Sequence, residues 1–80
     1  MNLAEAEATE ISASQEAQRL ARQVDSLLSA ANAAYATQAT FDDGMQVEEM
    51  YRGVRAARFA LRRAWSDHRR AEKITDAAML

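Results

Sequence analysis

Arg52, Arg55, Arg58, Arg62, Arg63, Arg69, Arg70 and Lys73 recur at spacings that place them on one side of a helix. At 100° per residue they share an arc of roughly 140°. A guanidinium is planar, forked and always charged, so it grips carboxylate or phosphate through paired bonds and stacks on rings. Phe59 falls inside this basic arc, Ser66 is also on it, and Tyr51 and Trp65 lie at its edge. A phenyl ring amid charges gains nothing from water; the pattern has the form of an interface anchor with a charged rim. The chemistry predicted is recognition of something acidic. Its carriers are Arg55, Phe59, Arg62 and Arg63, flanked by Tyr51, Arg58, Arg69 and Arg70. The plainer alternative is a solvated face, partly neutralised from the first half of the chain. Antiparallel pairing would bring Glu5, Glu7 and Glu10 near Arg69, Arg70 and Lys73, Glu16 near His68, and Asp25 near Arg58.

Little else could do chemistry. His68 is the one histidine and there is no cysteine. Disulfides and thiolate metal sites are thereby excluded, and one histidine alone does not make a zinc site. The position of His68 in the apolar repeat predicts a packed imidazole facing Ala17 or Ala13 and bonded to Glu16. No P-loop, dinucleotide fingerprint or calcium loop is present. The segment Leu20-Ala21-Arg22-Gln23-Val24-Asp25-Ser26-Leu27-Leu28 resembles the first helix of the all-helical chorismate mutases, which bind a dianion through arginines. The later basic and acidic signature of that family has no counterpart here. The expectation is therefore a non-enzymatic protein, with no catalytic residue, metal or cofactor assigned.

The elements that hold these residues are helices. The chain has no proline and only two glycines, and its commonest residues are strong helix formers. Val47, Met50, Val54, Ala57, Leu61, Ala64, His68 and Ala71 alternate steps of three and four, the a/d spacing of a heptad seam. The one break is Thr40-Phe41-Asp42-Asp43-Gly44, where Asp42 or Asp43 is expected to cap the next helix and Asp43-Gly44-Met45-Gln46 loosely fits a capping box. The first helix starts at Asn2, with Glu5 three residues on, or near Ser12. A single domain spans residues 1–80, with helix 1 over about 3–38, a loop over about 39–43 and helix 2 over about 44–76.

A short loop makes the helices antiparallel neighbours. Their seams then pair Leu20 with Ala64, Val24 with Leu61, Leu27 with Ala57, Ala31 with Val54, Ala34 with Met50, and Ala17 with His68. Large residues mostly meet small ones, which allows close approach. A second stripe remains: Ser14, Ala21, Leu28 and Tyr35 on helix 1, and Tyr51, Arg58, Trp65 and Glu72 on helix 2. A lone pair of helices does not cover it. The fold class expected is therefore an all-α, coiled-coil-like antiparallel hairpin that dimerises into a four-helix bundle. Leu28, Tyr35, Trp65 and Ala21 would form the dimer interface.

The net charge is −2, unevenly spread: residues 1–44 hold seven acids and two bases (−5), and residues 45–80 five acids and eight bases (+3). The second half thus offers an electropositive surface. No apolar run reaches the ~20 residues that span a bilayer, and the first residues lack the pattern of a signal peptide. A cytoplasmic protein without membrane attachment is expected. Its texture is that of phage-encoded inhibitors, plasmid accessory regulators or secretion co-chaperones: a regulatory protein that binds an acidic protein partner through helix 2. The alternative is nucleic-acid binding by the same face, on the architectural analogy of small plasmid RNA-binding hairpins that dimerise and use a Phe.

Overall fold

The computed structural model describes residues 2–80; Met1 lies outside the described residues. It contains α1 (Leu3–Thr37) and α2 (Phe41–Met79), packed side by side along their length. The molecule is a rod of 60 × 14 × 12 Å, the length expected of 39 residues at about 1.5 Å each. Among the described residues no helix is long and apolar enough to cross a membrane.

Each helix begins at a reciprocal cap. Asn2 Oδ1 accepts from the Glu5 N–H at 2.8 Å, while Asn2 Nδ2 donates to Glu5 Oε1 at 3.2 Å. The earlier of the two expected starts is the real one, and the Ala/Glu run that follows is helical. α2 begins three residues before the expected Gly44, and its cap is Thr40 rather than Asp42 or Asp43. Thr40 Oγ1 accepts from the Asp43 N–H at 3.1 Å. In return Asp43 Oδ2 accepts from the N–H groups of Thr40 at 3.2 Å and Ala39 at 3.1 Å. Asp43 is thus the third residue of the helix, completing a capping box. The Ala39 N–H, then Thr40, hold its carboxyl below the usual carboxylate range. Gly44 misled because glycine suggests a turn, yet no glycine among the described residues has a positive φ. It is an ordinary helical residue.

The seam is as expected and one step longer. Val47, Val54, Ala64, Ala71 and Thr75 of α2 are buried against Ala6, Ala17, Val24 and Ala31 of α1. Met50, Ala57, Leu61 and His68 are half-buried at its margins. The Thr75 hydroxyl enters the seam by donating to its own Ala71 carbonyl at 3.1 Å, so no hydroxyl is left unpaired in an apolar place. Small residues let the axes approach closely, but they make a thin core: Val54 is the largest side chain fully buried.

Candidate functional site

The outer face of α2 is built from the same periodicity as the seam. Residues three and four apart share a helix face, so Arg55, Arg58, Phe59 and Arg62 form one two-turn constellation. These four line a shallow depression together. Phe59 is 61 % exposed, and all of the surrounding arginines are exposed. Burying a phenyl ring is worth about 1.5–3 kcal/mol. Phe59 realises little of that within its own chain.

Arg63 does not join this group. It turns towards α1 and lines a separate depression with Glu16, Leu20, Ala60, Ala64 and Asp67. Arg70 is 3.4 Å from Asp67, one turn back on its own helix. Arg69 is exposed. Tyr51 is half-buried, and its hydroxyl donates to Asn32 Oδ1 of α1 at 2.6 Å. Among the described residues this is the one side-chain hydrogen bond between the helices, so Tyr51 serves the hairpin's register as well as bordering the face.

The expected neutralisation from α1 does not occur. Among the described residues the close contacts between basic and acidic side chains are Glu16 with Arg19, Arg70 with Asp67 and, at 3.7 Å, the His68 imidazole with Glu72. None joins α1 to α2. Among the described residues, Arg52, Arg55, Arg58, Arg62, Arg63, Arg69 and Lys73 have no carboxylate within ion-pair distance. The reason is reach: the outer face of α2 points away from α1, and the one acid of α1 that comes close to charged groups of α2 among the described residues, Glu10, meets His68 and Glu72 rather than an arginine. Glu16, expected beside His68, is instead held by Arg19 through two bonds, one of 2.9 Å. The Arg19 hydrogen bond lowers the Glu16 carboxyl below its ordinary range and raises the guanidinium.

Of the expected dimer residues, Ala21 and Leu28 are half-buried, Tyr35 is 59 % exposed and Trp65 37 % exposed. The Trp65 ring meets the His68 imidazole edge to face, with centroids 5.6 Å apart and planes at 79°.

One cluster went unforeseen. Glu10 of α1 and His68 and Glu72 of α2 bring three ligand-type atoms within 4.8 Å of one another. Its signals were in the sequence: Glu10 is an acid at a seam position between Ala6 and Ala13, and His68 and Glu72 are four apart on one helix face. No protein-family model, curated protein or solved structure matches the chain. The function has to be read from the chemistry of these surfaces.

Proposed function

We propose that the protein is a non-enzymatic regulator that captures an acidic protein partner on the outer face of α2. The reading rests on one observation: a run of exposed arginines without carboxylate partners encloses an exposed phenylalanine. Arg55, Arg58 and Arg62 would orient the partner's carboxylates; Phe59 would enter an apolar socket and supply the desolvated centre. A protein is favoured over nucleic acid because Glu48, Glu49, Asp67 and Asp76 punctuate the same helix and the chain as a whole is negative.

A second copy would complete the fold. The accessible surface is 5905 Å², against about 4,800 Å² for a compact monomer of this mass. The excess, about 1,100 Å², is more than the ~800 Å² that each partner contributes to a standard interface. Tyr35 and Trp65 are among the large side chains left exposed and Leu28 is half-buried, which supports a homodimeric four-helix bundle with the arginine face turned outward.

The test is affinity capture from the native host, with and without nuclease, using wild type, Phe59→Ala and the triple Arg55→Gln/Arg58→Gln/Arg62→Gln. The expected result is nuclease-resistant capture by wild type, lost in both variants while helicity is kept. Capture that nuclease abolishes, with a steep fall in affinity between about 50 and 200 mM salt, would replace the protein partner by nucleic acid. Capture unchanged by Phe59→Ala would remove that residue from the site. Sedimentation checks the second copy: wild type is expected as a dimer that Trp65→Ala and Leu28→Ala dissociate or melt. A monomeric, well-folded wild type would refute the bundle.

A further inference from the structure

We infer that Glu10, His68 and Glu72 form a divalent-metal site that clasps α1 to α2 towards the open end of the hairpin. The site is independent of the arginine face. Its donors are two carboxylates and one imidazole, carrying between them the charge that a divalent ion neutralises. His68 and Glu72 are one turn apart on α2, so both side chains project from the same strip of helix. Glu10 arrives from the other helix, and all three ligand-type atoms lie within 4.8 Å of one another.

The spacing argues against a simple hydrogen-bonded pair. His68 Nε2 is 3.7 Å from Glu72 Oε1, beyond the length of a hydrogen bond. None of the side-chain hydrogen bonds among the described residues involves His68, although its side chain is only 15 % exposed. Two ligands of a tetrahedral zinc ion, each at about 2.1 Å from the metal, stand about 3.4 Å apart. The observed gap is therefore close to that of a metal-bridged pair.

The donor set selects the ion. Calcium wants six to eight oxygens and magnesium a strict octahedron, whereas mixed imidazole and carboxylate donors suit zinc and its neighbours. Three protein ligands leave one position for water or for a partner's side chain. A bound ion would tie together residues near opposite ends of the chain, closing nearly the whole hairpin as a loop, so binding is coupled to folding.

The chain supplies its own reporter. It has one tryptophan and one histidine, and their rings are in contact at 5.6 Å. Untagged protein in a non-coordinating buffer is titrated with Zn²⁺ by calorimetry and with Cu²⁺ by Trp65 fluorescence, beside thermal melts with and without Zn²⁺. The expected result is one saturable site per chain, quenching of Trp65 by Cu²⁺, and a higher melting temperature with Zn²⁺. His68→Gln is expected to abolish all three. Glu10→Gln and Glu72→Gln should each weaken Zn²⁺ by more than about tenfold, since even outer-shell partners are worth that much. Binding of Zn²⁺ as tight in His68→Gln as in wild type would overturn the site. Full affinity in Glu10→Gln would overturn the clasp between helices. Circular dichroism confirms that each variant is folded, and Glu72→Gln, at an exposed position, keeps the site testable if a seam variant is not.

Discussion

The two long faces of α2 obey different rules. On the inner face every residue type follows from the neighbour it meets: Val47, Val54, Ala64, Ala71 and Thr75 are buried against α1. On the outer face Arg55, Arg58, Phe59 and Arg62 line one exposed depression together and, among the described residues, pair with no carboxylate. The fold needs the first set and has no use for the second. Like charges at three- and four-residue spacing mildly oppose the helix. A residue set that costs the fold a little and gives it nothing is where function is to be sought.

That contrast is broken or upheld most sharply by paired variants. Val54→Asp places a charge in the middle of the thin seam. A core of this size supplies only about 3–5 kcal/mol, and an unpaired buried charge removes at least that much. The chain is expected to lose its cooperative melt and its helical circular dichroism. The milder Val54→Ala should cost about 2–3 kcal/mol, from the lost methyl groups and the cavity they leave. The Arg55→Gln/Arg58→Gln/Arg62→Gln triple is expected to melt within about 0.5 kcal/mol of wild type, as exposed substitutions do. A large loss of stability in the triple would mean that the outer face serves the fold after all.

An intermediate effect tests the closed end. Thr40→Ala should cost about 1 kcal/mol by removing the acceptor for the Asp43 N–H. The reciprocal half of the box is pH-sensitive. The Asp43 carboxyl is depressed by the Ala39 N–H and by Thr40, so its contribution is fully present above the unfolded value of about 3.9. It is lost as pH falls through the lower folded value. Glu16 shifts the same way through Arg19, and the comparison with Asp43→Asn separates the two. Melts at pH 7 and pH 3 should show a smaller acid-induced drop for Asp43→Asn than for wild type.

Much of this was legible in the sequence, because helix periodicity is a strong local signal and alternating three/four steps admit few other folds. The seam from Val47 to Ala71 and the side of α2 carrying the arginines both follow from the repeat. What failed depends on side-chain reach rather than on period. Charge bookkeeping brought Glu5, Glu7 and Glu10 to Arg69, Arg70 and Lys73, but acids of one helix do not reach round to the far side of another. The wheel put Arg63 with Phe59, whereas its side chain lines the depression towards α1. The Glu10–His68–Glu72 cluster is not legible from periodicity, because it joins a seam position of α1 to two residues of α2 and charge alone pairs Glu10 with the basic residues. At the loop, Asp43 and Gly44 resembled a cap and a turn, and only the bonds to Thr40 reveal the true start of α2.

The smallest effect marks where the outer face ends. Gly53 lies inside α2, is exposed, and has no positive φ to require glycine. A Cβ added there meets nothing within 4 Å. Gly53→Ala should therefore stabilise the protein by about 0.5–1 kcal/mol, by restricting the unfolded chain and favouring the helix, read as a rise in melting temperature. Neither the seam nor any charge is altered, so any change in partner capture would come from the added methyl alone. Capture retained at the higher melting temperature would set the edge of the binding face between Gly53 and Arg55. Capture lost despite the gain in stability would mean that a partner approaches the bare backbone at Gly53. The glycine would then belong to the outer face, as a residue the fold would do better without.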